Sequence, residues 1–106
     1  MMKVLPDDRR ILGEVMKRLA DSNIVDLIIT TGGTGFSESD VTPEATLDIV
    51  ERQVPGIPEA MRAYSMQFTK RAMLSRAAAG IRKQTLIVNF PGSPKSLKES
   101  LEYIFA

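Results

Sequence analysis

The segment Val25-Asp26-Leu27-Ile28-Ile29-Thr30-Thr31-Gly32-Gly33-Thr34-Gly35 decides the fold. Val25–Thr30 is short and mostly β-branched or apolar, and it reads as a strand buried on both faces, as in a parallel sheet. Gly32, Gly33 and Gly35 then let the chain turn sharply at the strand's carboxyl end. The pattern recurs downstream. Thr85-Leu86-Ile87-Val88-Asn89 is a second buried-strand candidate, and Phe90-Pro91-Gly92-Ser93-Pro94 is a rigid turn after it. Strand, loop and helix in repeated succession predict an α/β fold, three-layered, with a mainly parallel sheet flanked by helices.

Helices fill the spaces around these strands. Asp7 and Asp8 suit a helix N-terminus, and Ile11, Leu12, Val15, Met16 and Leu19 share one face of a helix over 8–20. Thr42-Pro43-Glu44 supplies a capping hydroxyl, a first-turn proline and an acid for a helix over 43–54. Further helices are expected over 58–68 and, in an Ala-rich stretch, over 71–79, with Gly80 as a left-handed C-terminal residue. Leu97, Leu101, Ile104 and Phe105 mark one face of a closing helix. Met61, Tyr64, Met66, Phe68 and Met73 read as core or subunit interface, and Met2–Leu5 as a possible third strand. Two or three parallel strands leave sheet edges open, so either the chain is part of a larger domain or partner chains complete it.

Composition limits the chemistry. The 106 residues match one small domain. Fourteen Lys and Arg against 13 Asp and Glu leave a net charge of +1, too balanced for a protein that coats nucleic acid. No Cys and no His are present, which excludes disulfides, thiol catalysis, Cys/His zinc sites and imidazole acid–base chemistry. No apolar run approaches the roughly 20 residues of a membrane helix. The start, Met1-Met2-Lys3-Val4-Leu5-Pro6-Asp7, lacks the apolar core of a signal peptide, so a cytoplasmic protein is expected.

The remaining candidates cluster in two loops beyond strand ends, where open α/β sheets bind ligands. In Thr31-Gly32-Gly33-Thr34-Gly35, backbone amides and threonine hydroxyls can approach a phosphate; the alternative is a tight turn with no guest. It is not a P-loop, because no Gly-Lys-Ser/Thr follows. Asp40 stands between this loop and the next helix, where it either binds a hard cation such as Mg²⁺ or caps the helix. Asp7 is read the same two ways. In the second loop, Gly92 permits close approach and Ser93 with the following helix amides can bind a polar ligand. Ser75-Arg76 either meets a ligand or bonds only to the backbone.

Taken in order, Thr31-Gly32-Gly33-Thr34-Gly35, Asp40-Val41-Thr42-Pro43-Glu44-Ala45, Met73-Leu74-Ser75-Arg76 and Asn89-Phe90-Pro91-Gly92-Ser93-Pro94 resemble the molybdopterin adenylyltransferases. These are the MogA/MoaB proteins of bacteria and the G domain of gephyrin in animals. The resemblance runs from Val4 to Leu101 and treats residues 1–106 as a single, partial molybdopterin-binding domain. It implies an incomplete version of the fold, lacking a first strand and helix.

The activity implied is Mg²⁺-dependent adenylylation of molybdopterin by ATP, with release of pyrophosphate. By position, Thr31, Gly32, Gly33, Thr34 and Gly35 would hold phosphate, and Asp7 and Asp40 would be the catalytic and metal-binding acids. Thr42, Glu44, Ser75, Pro91, Gly92, Ser93 and Pro94 would line the substrate pocket. The resemblance further implies a homotrimer and the molybdate-insertion protein as a partner, with neither nucleic acid nor membrane. Ser39 departs from it, since the family carries Arg before the acid. The alternative reading is a non-catalytic pterin- or nucleotide-binding or trimer-forming module.

Overall fold

The computed structural model describes residues 2–105. Helix α1 spans Arg9–Asp21, close to expectation, and Asp8 caps it by accepting a 3.0 Å hydrogen bond from the Ile11 amide. The aspartate thus satisfies one of the free N–H groups at the helix start. Strand β1, Leu27–Thr31, lies parallel to β4, Thr85–Phe90, with Leu27 opposite Leu86 and Thr31 opposite Phe90.

The mainly parallel sheet is corrected to a mixed one. Its order is β1-β4-β3-β2, where β2 is Arg52–Gln53 and β3 is Ala79–Arg82. Only β1 and β4 run parallel; β3 pairs antiparallel with both β4 and β2. A two-residue turn at Lys83-Gln84 makes β3 and β4 a hairpin, with Lys83 at a φ of 53°. The central strand β4 is buried almost throughout, as read from its sequence. β1 instead forms an edge. Leu27 and Ile29 are each 41 % exposed, so it is not buried on both faces. Met2–Leu5 forms no strand, and β1's outer edge has no hydrogen-bonded strand neighbour among the described residues.

The expected Ala-rich helix over 71–79 is also absent. A short 3₁₀ turn, Lys70–Leu74, is followed by extended chain leading into β3. Alanine is the strongest intrinsic helix former, but helix propensity is a small energy per residue and tertiary contacts override it here. The Ala78 amide donates to Asn89 Oδ1 at 3.1 Å, and the Ala78 carbonyl accepts from the Asn89 amide at 3.0 Å. Gly80 therefore belongs to a strand, not a helix end. A β-carbon there would lie 2.7 Å from the Val50 side chain and 2.8 Å from the Arg52 carbonyl oxygen. Close passage of β2 explains the glycine.

Helix α2, Thr42–Ile49, stops short of the expected residue 54 because the chain turns at Val50 to join the sheet. The Glu51 and Val54 amides donate to the Ile81 and Ala79 carbonyls. The Thr42 hydroxyl does not cap α2; Val41 occupies that position without a side-chain bond. Helix α3, Gly56–Ser65, begins and ends before the expected 58–68, and α4, Pro94–Phe105, closes the chain.

The helices cover both sheet faces, giving three layers. Met16, Ala45, Ile49 and Ile87 form the core beneath α1 and α2. Met61, Ala79, Val88 and Phe90 form the core beneath α3 and α4, joined by Leu97, Leu101 and Ile104. Each fully buried Ile, Val or Phe contributes about 1.5–3 kcal/mol of hydrophobic stabilisation. Met61 is core as read, whereas Met66, Phe68 and Met73 remain exposed on this chain.

Candidate functional site

The site begins where the parallel pair ends. The Gly32 amide donates to the Phe90 carbonyl at 2.9 Å, which carries the β1–β4 ladder one step past the strand. Gly32 and Gly33 then adopt φ of 86° and 70°, a region that L side chains rarely enter. At Gly33 space is closed as well, since a β-carbon would stand 2.2 Å from Thr42 Oγ1. The second loop meets the first at its tip. A β-carbon on Gly92 would lie 3.0 Å from the Gly32 α-carbon. The two glycine turns therefore pack against each other at the carboxyl ends of β1 and β4, the position at which such sheets bind ligands.

A cavity opens on either flank of the first loop. The larger, about 500 Å³, is lined by Thr31, Gly32, Gly33 and Thr42, by Asp7, and by apolar side chains of α1 and β1. The smaller, about 280 Å³, is lined by Thr34, Gly35 and Phe36 of the loop, by Met61 and Arg62 of α3, and by Ser75 and Pro91. The loop is thus a partition whose amides and hydroxyls border two separate spaces.

The acids hold different positions. Asp7 is exposed and faces the larger cavity. Asp40 lines neither cavity. It lies beside Gly35, where its Oδ2 would be 2.7 Å from a β-carbon. Its carboxylate accepts from the Ser37 amide at 3.1 Å, and its own amide donates to the Ser37 carbonyl at 3.0 Å. Among the described residues, no three acidic side chains converge to hold a metal ion.

Arg76 bonds to backbone carbonyls, as in the second Ser75-Arg76 reading, but to one side chain as well. Its Nε donates to the Gly35 carbonyl at 2.6 Å, one terminal nitrogen to the Asp40 carbonyl, and the other to the Glu44 carboxylate. Its amide donates to the Thr34 carbonyl at 2.8 Å. Glu44 therefore spends its charge on Arg76. Ser75 lines the smaller cavity, and its carbonyl accepts from Arg62 at 3.3 Å. Ser93 caps α4: its hydroxyl accepts from the Ser96 amide at 3.2 Å. Gly92 and Pro94 are exposed beside it, and only Pro91 of this loop borders the smaller cavity. Ser39 is exposed and bonds only to the Ser37 side chain.

Arg62 and Phe36 were not legible as site residues. Arg62 sits mid-helix with no motif around it, and its guanidinium reaches the cavity rim by donating to the Ser75 and Ala77 carbonyls. Phe36 is 77 % exposed in a polar loop.

Residues 1–106 match the sequence family described as a probable molybdopterin binding domain. The chain is 47 % identical over 100 residues to the molybdopterin adenylyltransferase of Escherichia coli K12, which covers 94 % of this chain and 51 % of that protein. The chain spans about half the length of the curated relatives it matches. Its fold superimposes on the molybdopterin biosynthesis enzyme MoaB of Thermus thermophilus with a TM-score of 0.85 at 47 % identity, covering 93 % of this chain and 62 % of that one. A molybdopterin biosynthesis protein from Mycobacterium abscessus gives a TM-score of 0.88 at 34 % identity, over 95 % and 64 % of the two chains.

Proposed function

The chain belongs to the family of probable molybdopterin-binding domains, and from that premise we propose that it serves molybdenum cofactor synthesis by transferring the adenylyl group of ATP to molybdopterin. The observation that carries this reading is the Gly32–Gly33 turn, which separates two cavities and borders both through its loop. Adenylyl transfer brings two substrates together at one phosphate group. A pterin phosphate oxygen forms the new bond to the α-phosphorus of ATP, the α–β bridging bond breaks, and pyrophosphate leaves. A backbone loop between two substrate spaces suits that geometry, because its N–H groups can hold the charge that develops between them.

The apolar and aromatic wall of the smaller cavity, with Phe36, Met61 and Pro91 beside Arg62 and Ser75, suits a flat heterocycle with polar substituents. Asp7 borders the larger cavity, and Asp40 lies beside Gly35 of the loop. A half-buried carboxylate with one amide donor, as Asp40 has, retains lone pairs for Mg²⁺, which takes one or two carboxylates together with substrate phosphate oxygens. Bound there, Mg²⁺ would offset negative charge on the polyphosphate. Asp7 stands at the larger cavity, within its own reach of a phosphorylated guest. On this reading the protein acts in the cytoplasm as a homotrimer and hands its product to the molybdate-insertion protein. Among the described residues, no helix is long and apolar enough to cross a membrane.

The test is pyrophosphate release from ATP, Mg²⁺ and molybdopterin, with a longer relative run in parallel. Asp40→Asn should lower turnover at least about a hundredfold while unfolding at nearly the same denaturant concentration. Full turnover by this variant would remove Asp40 from the reaction.

A second reading has its own support. Asp40 lines neither cavity, and among the described residues no three acidic side chains converge to hold a metal ion. A module that binds pterin or nucleotide without turnover fits both facts. Calorimetric binding of ATP with no pyrophosphate release would select it.

A further inference from the structure

An arginine beside a glycine-rich phosphate loop would ordinarily be read as a ligand to the phosphate. The geometry points elsewhere for Arg76: we infer that it is a positioning residue, a strut that holds the Thr31–Val41 loop in its anion-binding shape and touches no substrate itself. This inference rests on the loop's role in the reading above.

Three observations support it. First, each of the three guanidinium nitrogens already has its own acceptor: the Gly35 carbonyl, the Asp40 carbonyl and the Glu44 carboxylate. Second, those acceptors lie at the middle of the loop, near its end and in the first turn of α2, so one planar group fixes two points of a segment with little regular structure and ties them to the helix that follows. The Arg76 amide adds a fourth point at the Thr34 carbonyl. Third, Arg76 lines neither cavity, although its neighbour Ser75 lines the smaller one. Three of its five N–H groups are thus engaged by the loop and by Glu44, and it lines neither cavity, so its effect on a guest in either space runs through the loop it holds.

The chemistry explains why arginine is needed. Its fork presents donors in several fixed directions within one plane, whereas the lysine ammonium is a compact charge that reaches one or two acceptors at a time. A lysine would keep the charge opposite Glu44 and leave at least one loop carbonyl without its donor. The strut reading therefore separates from a charge reading. If Arg76 served only as positive charge near the phosphates, lysine would substitute well.

The experiment is calorimetric titration of the full chain with inorganic pyrophosphate, alongside circular dichroism to confirm folding. Arg76→Lys should weaken pyrophosphate binding about tenfold despite the unchanged charge. Arg76→Ala should weaken it at least as much and recover a several-fold part of the loss in millimolar guanidinium chloride, which refills the fork-shaped gap. Arg76→Lys binding within twofold of wild type would overturn the strut. So would Arg76→Ala losing affinity that guanidinium does not restore while the chain remains folded. Should both variants fail to fold, Glu44→Ala takes their place; it removes one anchor and should weaken binding about threefold, and an unchanged affinity would overturn the inference. Absence of pyrophosphate binding by the wild-type chain would instead refute the phosphate-loop reading, and this inference with it.

Discussion

Gly92 approaches Gly32 so closely that a β-carbon added to Gly92 would stand 3.0 Å from the Gly32 α-carbon. The two residues are sixty positions apart in sequence, each in a turn that follows a strand of the parallel pair. Their contact joins the two loops into one surface. Gly92 has no positive φ, so an alanine there meets only a steric obstacle. Gly92→Ala should cost about 1 kcal/mol of stability through overpacking and shift the loops apart by a few tenths of an ångström. Urea unfolding checks the first effect, and a fall in ATP affinity larger than the stability loss implies checks the second.

Gly33 is the harsher case, because two costs combine there. Its φ of 70° is a strained conformation for any other residue, and the Thr42 hydroxyl occupies the space a side chain would need. Gly33→Ala should destabilise the fold by at least about 2 kcal/mol. Removing the hydroxyl through Thr42→Ala should recover most of the steric part, the residue-42 β-carbon still standing at 3.2 Å, and leave the backbone part. A double-mutant cycle in urea measures the split, and an additive result would show that the hydroxyl is not what closes the site.

Much of this architecture was legible from the sequence, and the failures have physical causes. β1, β4, α1 and α4 carry strong local patterns: β-branched runs for the strands and one-faced apolar spacing for the helices. β3 does not. Ala77-Ala78-Ala79 favours a helix locally, and its strand conformation depends on Asn89 across the sheet and on the passage of β2 over Gly80. A mixed sheet was missed for the same reason, since β3 supplies its antiparallel pairs. At the site, the glycine turns show in the sequence because only glycine fits them. Arg62 and Phe36 do not show, because folding alone brings isolated side chains of α3 and the loop to one cavity.

Asp21 and Arg82 predict a pH dependence. Arg82 donates twice to the Asp21 carboxylate, at 2.8 and 3.1 Å, and once to the Ile49 carbonyl at 2.7 Å. The hydrogen-bonded guanidinium holds the Asp21 carboxyl below its ordinary range, ahead of the opposing effect of desolvation and with further help from the Arg82 and Lys83 charges. A carboxyl that is a stronger acid in the native chain contributes stability above its unfolded pKa. That contribution is lost as pH falls through the lower, native value. Stability should therefore decline from about pH 4 downward, and Asp21→Asn should flatten this part of the profile. Denaturant midpoints across about pH 2–6 measure it, and parallel profiles for the two chains would rule the pair out as the source.

Asn89 is the buried polar residue on which both sheet and site depend. Its side chain has no solvent exposure, yet both its N–H groups and its carbonyl oxygen have partners. Nδ2 donates to Thr30 Oγ1 at 3.0 Å and to Thr46 Oγ1 at 2.9 Å, while Oδ1 accepts from the Ala78 amide at 3.1 Å. One amide thus ties β1, α2 and the approach to β3, the three elements that carry the glycine loop, its following helix and the Ser75-Arg76 segment. Leucine has similar volume but would leave the Ala78 amide without an acceptor and two threonine hydroxyls without their donor. Asn89→Leu should cost about 2–4 kcal/mol. Because Thr30 immediately precedes the loop, ATP affinity should fall too, even where the variant remains folded. Hydrogen exchange at the Ala78 amide offers the most direct reading: protection there should collapse in the variant while the β1–β4 ladder amides stay protected, and retained Ala78 protection would show that the Asn89 carboxamide is not its partner.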